Sequence, residues 1–372
     1  VVFTPYMFIR SPYFFLKKLS DLKGTWFCSP NFGYDWMVRK VSDDLLPTLD
    51  LSSLRFSLNG AEPISTAVMN RFIEKFSVCG YRKEMMFPAY GMAEATVAVT
   101  LSGIGKQPVI DRISRTRMSR DRTAVIVSPD DSDGVTFTRV GTPVEGMSVR
   151  IADEHGNTLR EAEIGEIQIQ GDSVTSGYYN QEQQTAELFQ EGWLRTGDLG
   201  YIKDGELVIT GRMKDLIIVR GQNYFAHDLE EILYETGAVP HGSLMLVGLF
   251  NARTQQEELL AFVKHKGDIR KLLPIRQTMT DRLRETTGIE ITHVIPVKSI
   301  PKTTSGKLQR YIMANQYESG QFDRVIEEIG NLLADRPDPA PAIADAPDTK
   351  TMAFLRRIWS EVLNIPERDI RP

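Results

Sequence analysis

Cysteine is almost missing from this sequence. Its two cysteines, Cys28 and Cys79, form no CxxC pair and stand beside no histidine cluster, so neither a disulfide framework nor a zinc site is expected. A basic excess is missing too. The net charge is −5, with 44 Lys and Arg against 49 Asp and Glu, which argues against a general nucleic-acid binder. No apolar run reaches the roughly 18 residues of a membrane helix, and no charged-then-apolar leader opens the chain. These absences read as a cytoplasmic protein with no membrane span and no nucleic-acid partner, whose ligands are small molecules or proteins. What is present is ordinary: 372 residues, 41% hydrophobic and 25% charged, enough for two or more domains with substantial cores.

The densest chemistry lies between Leu194 and Gly221. Arg195-Thr196-Gly197-Asp198 reads as a tight turn whose carboxylate can accept two hydroxyl hydrogen bonds, as a ribose diol requires; Asp198 as a plain turn residue is the blander alternative. Asp204-Gly205, between Tyr201-Ile202 and the alternating Leu207 and Ile209, predicts a two-residue hairpin. Gly211-Arg212 ends the second strand, and the apolar run Asp215 to Val219 reads as a buried strand.

In this order and spacing, TGDLG, a DG hairpin and GRMKDLIIVRG resemble the core of the adenylate-forming superfamily: acyl-CoA ligases, luciferases and peptide-synthetase adenylation domains. The resemblance implies an α/β fold with a large domain and a small α/β lid. It implies that Asp198 holds the ribose of ATP, that Arg212 assists, and that Lys214 with Asp215 forms the hinge between the domains.

Other stretches extend the resemblance. Leu54 to Leu58 reads as a short strand ending in Asn59-Gly60-Ala61-Glu62-Pro63, followed by a helix with Ile64, Val68, Phe72 and Phe76 on one face. GAEP alone is a strand-to-helix turn; in the family it stacks on adenine, which assigns Gly60, Ala61 and Glu62 to the nucleotide. Tyr90-Gly91-Met92-Ala93-Glu94-Ala95-Thr96 contains a carboxylate ahead of an apolar run, readable as a helix N-terminal glutamate. The match to the family's Tyr-Gly-x-(Thr or Ala)-Glu motif instead gives Tyr90 and Gly91 to the nucleotide site and Glu94 to Mg²⁺ on the triphosphate. PNFGYD, residues 30–35, is close to the PNFAYD of fatty acyl-AMP ligases, and would place Phe32 and Tyr34 along the acyl pocket.

Residues 103–139 are charged and poorly patterned, and read as a solvated insertion. In fatty acyl-AMP ligases an insertion near this place hinders lid rotation, so the segment is expected to bear on which thiol is used. Arg115 and Arg117 are candidates for touching a carrier protein's acidic face. VGTPVEG, IGEIQIQG and SGYYN match the family's β-barrel subdomain and carry no catalytic role in this reading. Asn223 to Glu230 resembles the branch's NHYPQDIE, with a helix capped by Asp228. Lys307, in Ser305-Gly306-Lys307 about ninety residues beyond Lys214, stands where the family carries its catalytic lysine.

The expected plan is therefore a large-domain portion over 1–211, with the barrel at about 140–211, a lid over 212–334, a Pro/Ala-rich linker over 335–348, and over 349–372 an amphipathic helix. That helix fits either a terminal helix docking on the lid or the first helix of an acyl carrier protein. The family's Ser/Thr/Gly-rich phosphate loop is not found upstream of Pro30, and the natural polypeptide is expected to extend beyond both ends. The implied activity is activation of a fatty acid with ATP and Mg²⁺ to acyl-AMP, then transfer to a carrier protein in cis. The alternatives are an acyl-CoA ligase and a non-catalytic adenylate-binding fragment.

Overall fold

The computed structural model describes residues 3–219, 222–251, 256–302 and 308–334. Two short helices, α1 (Pro5–Arg10) and α2 (Pro12–Asp21), each start on a proline behind a hydroxyl cap, Thr4 and Ser11, where a missing N–H costs nothing. Then β1 (Trp26–Ser29), α3 (Asn31–Lys40), β2 (Phe56–Asn59), α4 (Thr66–Ser77), β3 (Met86–Met92) and β4 (Val97–Leu101) follow. β1, β2 and β3 are parallel, in register Trp26 with Phe56 and Ser57 with Met86; β4 returns antiparallel to β3. The apolar faces of α3 and α4 meet over a core of Tyr34, Met37, Phe72, Phe76 and Tyr81. α4 begins at Thr66 because Ser65 caps it, its Oγ accepting from Val68 N at 3.3 Å, so Ile64 belongs to the approach and not to the helix.

The segment read as a solvated insertion is folded. It forms β5 (Ile110–Ser114), α5 (Arg115–Asp121) and β6 (Gly134–Thr138), with β5 and β6 antiparallel. Ile113, Met118, Val135 and Phe137 are buried there together with Ile164, Tyr201, Val208 and Phe225 from later in the chain. Each of its strands is too short to show its period through the surrounding charges, and the core it joins is supplied from elsewhere.

β7 (Thr142–Pro143) pairs with β4, and β8 (Met147–Ala152) and β9 (Gly165–Gly171) lead to α6 (Glu182–Leu188), β10 (Phe189–Gln190), β11 (Trp193–Lys203) and β12 (Glu206–Arg212). The pairing order is β10-β11-β9-β8 with β12 on β11. Among the described residues these strands form an antiparallel sheet, the outer edge of β12 being taken by residues 139–141. The Asp204-Gly205 hairpin holds, with Lys203 opposite Glu206 and φ of +52° and +75° at the two turn residues, as a type I′ turn requires.

Beyond a single 3-10 turn at Met213–Asp215, a hairpin of β13 (Leu216–Val219) and β14 (Gln222–Phe225) precedes α7 (Ala226–Glu235). β13 is not the fully buried strand its apolar run suggested: Ile217 is buried but Ile218 is exposed, because one face of a two-stranded hairpin meets solvent. α7 starts two residues before Asp228, which lies in its first turn and does not cap it. β15 (Leu244–Asn251), β16 (Gln256–Lys264), α8 (Leu272–Thr287) and β17 (His293–Val297) build a three-stranded sheet in order β15-β16-β17, followed by α9 (Arg310–Glu318). The chain divides into two units, Val1–Asp323 and Arg324–Pro372; of the second, residues 324–334 are described, and they are helical, within α10 (Asp323–Ala334). The expected linker and carrier-like helix lie outside the described residues. No described helix is long and apolar enough to cross a membrane.

Candidate active site

The nucleotide-site residues expected from the sequence gather where the parallel strands β2 and β3 end, the edge at which open α/β sheets receive ligands. β2 stops at Asn59, opposite Pro88 of β3, and Gly60 follows so close to β3 that an added Cβ would lie 2.8 Å from the Ala89 carbonyl. Ala61 sits at φ +70°, a left-handed backbone that costs a non-glycine residue about 1 kcal/mol or more. The turn is held in that state by Glu62, whose carboxylate accepts from Phe32 N at the start of α3. Burial pushes the Glu62 carboxyl up, opposed by that amide and by the charge of Lys302.

Phe32 is partly exposed beside this turn, but Tyr34 does not line open space. It is fully buried, edge-on to Phe72 with centroids 4.9 Å apart, and its hydroxyl donates to the Leu58 carbonyl at 2.9 Å. The alternation along α3 turns the two aromatics apart, so Tyr34 supports β2 from the core.

Asp198 is the centre of the second cluster. It sits within β11, where register with β9 breaks between Arg195 and Leu199 and Gly197 adopts φ +70°; the expected turn is thus a bulge inside a long strand. Asp198 is 5% exposed. Its Oδ2 accepts from the Tyr90 hydroxyl at 2.6 Å and its Oδ1 from Arg212 Nε at 2.7 Å, Arg212 being its direct partner across the β11-β12 ladder. Burial, reinforced by Asp198, drives the Tyr90 phenol well above its ordinary range, so it remains a donor. Burial lowers the Arg212 pKa and Asp198 more than offsets it, leaving a permanent cation beside the carboxylate. Each carboxylate oxygen retains a lone pair for a ligand hydroxyl.

Glu94 lies on a 3-10 turn, Ala93–Ala95, between β3 and β4, so the helix N-terminus reading of it fails. Gly91 is obligatory there: a Cβ would meet the Val97 carbonyl oxygen at 1.7 Å. Tyr178 donates its hydroxyl to Glu94 Oε1 at 2.7 Å. Among the described residues no three His, Cys, Asp or Glu side chains gather to hold a metal ion, so Glu94 fits a cation that brings its other oxygen ligands with it.

Lys214 is exposed and Asp215 half-buried in the turn between β12 and β13. Lys307 lies outside the described residues; its flanks are fixed by a β-bridge between Lys302 and Leu308 and by Gln309 N donating to Pro301 O at 3.0 Å. Next in line, the largely buried Arg310 pairs with both oxygens of buried Glu230, at 2.8 and 3.2 Å, and approaches Asp215 at 3.4 Å. Arg310 thus joins the turn at Asp215 to α7 and the end of the lysine segment.

Arg115, expected on the surface, is buried. Its Nε and Nη2 meet Asp228 Oδ2 and Oδ1 at 2.7 and 3.0 Å, so the insertion's helix α5 grips the first turn of α7 by a two-pronged ion pair. It is therefore closed to an outside partner, while Arg117 is exposed and paired with Asp121. Tyr178, Arg310 and the Arg115 to Asp228 pair were not singled out as site residues by sequence reasoning; their partners stand 84, 80 and 113 residues away, beyond any local signal.

Residues 1–179 match the family model described as "AMP-binding enzyme". The family match thus takes in the first 179 residues, and the fold over most of the chain resembles the adenylate-forming ligases. The chain is similar to the medium-chain-fatty-acid--[acyl-carrier-protein] ligase JamA of Moorena producens, with 32% identity over 87% of this chain and 57% of the relative. Among solved structures it resembles one from a study of fatty acyl-adenylate ligases from E. coli and L. pneumophila (TM-score 0.78, 31% identity, 84% of this chain and 56% of that one). It also resembles McyG A-PCP complexed with phenylalanyl-adenylate (TM-score 0.73, 31% identity, 88% and 56%). The chain thus spans a little over half the length of the relatives it matches. The mixed α/β fold agrees with the adenylate-forming ligases.

Proposed function

We propose that this chain belongs to a fatty acyl-AMP ligase, which activates a fatty acid with ATP and passes the acyl group to an acyl carrier protein, in cis if the polypeptide continues past residue 372. The observation that carries the reading is the buried Asp198 carboxylate held by Tyr90 and Arg212 beside the 60–62 turn. A ribose diol would donate to the free lone pairs of Asp198, while Gly60 and Ala61 present bare main chain to adenine. Mg²⁺ arriving on the nucleotide would neutralise phosphate charge, and Glu94 is the carboxylate that would meet it. The fatty acid carboxylate oxygen then bonds to the α-phosphorus as the bond to pyrophosphate breaks, a reaction governed by positioning and charge neutralisation. Lys307 is the cation proposed to steady that charge, and Lys214 with Asp215 the hinge about which the lid turns between half-reactions.

The Arg115 to Asp228 pair supports a carrier thiol over CoA, since it ties the insertion to the lid and opposes a lid rotation. Intact mass of a phosphopantetheinylated carrier incubated with the full-length protein, ATP and medium or long fatty acids tests this. Acylated carrier with no acyl-CoA in a parallel CoA reaction is the expected result. Efficient acyl-CoA formation would replace the reading with an ordinary acyl-CoA ligase.

A further inference from the structure

The SGYYN segment, taken from sequence as scaffold, does more than scaffold work in this fold. It crosses the turn that carries Glu94, and three hydrogen bonds lace the two segments: Thr175 N to Glu94 O at 2.7 Å, Thr96 Oγ1 to Ser173 O at 2.9 Å, and Tyr178 OH to Glu94 Oε1 at 2.7 Å. The laced turn is strained. Thr96 and Val97 both stand in left-handed backbone, at φ +51° and +85°, which a β-branched residue adopts only when its surroundings impose it.

Tyr178 is itself anchored. Its backbone N donates to Thr185 Oγ1 at 2.9 Å, at the start of α6, and Gly177 lies so near Thr185 that a Cβ there would come within 2.4 Å. A fixed backbone therefore aims the phenol, and the phenol in turn occupies one lone pair of Glu94 Oε1. Oε2 of Glu94 accepts nothing from the described residues, and is the oxygen left for a cation.

We propose that Tyr178 is a positioning residue, holding the Glu94 carboxylate in one orientation so that a free oxygen faces the divalent cation of the incoming metal–nucleotide complex. The inference rests on the reading of Glu94 as the carboxylate that meets Mg²⁺. A hydrogen-bond partner behind a metal-binding carboxylate fixes its direction before the metal arrives, and loss of such a partner typically weakens metal affinity by about 10- to 100-fold.

The test is calorimetric binding of a non-hydrolysable ATP analogue to the full-length protein across a Mg²⁺ series, with AMP binding in EDTA and the melting temperature as controls. Tyr178→Phe keeps the ring and removes only the hydroxyl. It should need about tenfold more Mg²⁺ for half-maximal enhancement of analogue binding, with AMP binding and melting unchanged. Glu94→Gln should lose the enhancement altogether. If Tyr178→Phe overlays the wild type while Glu94→Gln loses the enhancement, Tyr178 has no positioning role. Equal weakening of AMP and metal-dependent binding in Tyr178→Phe would show a merely structural contact and overturn the proposal. A wild-type Mg²⁺ dependence in Glu94→Gln would instead remove the reading of Glu94 on which it stands.

Discussion

Replacing Arg115 by methionine should loosen α7 far more than replacing Arg115 and Asp228 together. The pair is 8% and 4% exposed at its two side chains and joined through two hydrogen bonds, so the single change strands a carboxylate where water cannot reach it. His227 beside it offers no replacement cation, since burial lowers its pKa and favours the neutral ring. Removing one partner of a buried ion pair costs about 3–5 kcal/mol, whereas exchanging both for apolar groups of similar volume is often near neutral. Native-state hydrogen exchange at the α7 amides reads the local cost, and about 3 kcal/mol corresponds to roughly a hundredfold or more in protection. Arg115→Met should show that loss; Arg115→Met with Asp228→Leu should recover most of it. Protection within twofold of wild type in the single variant would show that this pair does not hold α7 to α5. If the pair does restrain the lid, the double variant should also gain acyl transfer to CoA.

Asp198→Asn keeps the shape of its site but removes the charge facing Arg212, and should weaken ATP binding by about tenfold or more, given that hydrogen bonds to charged groups contribute roughly 1.5–3 kcal/mol; equilibrium binding of a fluorescent ATP analogue measures it. Arg310→Gln leaves Glu230, whose pKa burial already raises, without its main cation, and should destabilise the protein by about 3 kcal/mol, visible as a lowered thermal midpoint and relieved by adding Glu230→Gln. Burial depresses the pKa of His227, His241 and His293 below the usual value near 6.5. For a group lowered on folding, the unfolded chain binds the proton first, so stability is full above about pH 6.5 and is lost as pH falls toward the folded-state values. The melting temperature should therefore fall between about pH 7 and 5, and less steeply in His227→Phe.

Local patterns told much of this in advance. Spacing four from Val68 to Phe76 gave α4, and Asp204-Gly205 gave the hairpin that sets Asp198 opposite Arg212. What sequence reasoning did not supply was long-range: the insertion's core is completed by Ile164, Tyr201 and Phe225, and its arginine finds its counter-ion in another helix. Tyr34 was misplaced because Phe32, two residues before it, is the exposed member of the pair, and two helical steps, about 200°, put them on different faces. Asp198 as a bulge, not a turn, follows from pairing with β9 and β12 at once, which no window around Gly197 contains.

Asp198, Glu94 and Lys307 are proposed to serve acyl-adenylate formation. ATP–pyrophosphate exchange with a panel of fatty acids, on the full-length protein and its Lys307→Ala variant, tests it most directly. Exchange driven by medium or long fatty acids and abolished in the variant is the predicted result. A folded wild-type protein that exchanges with no acid, or a variant that exchanges as the wild type does, would contradict it.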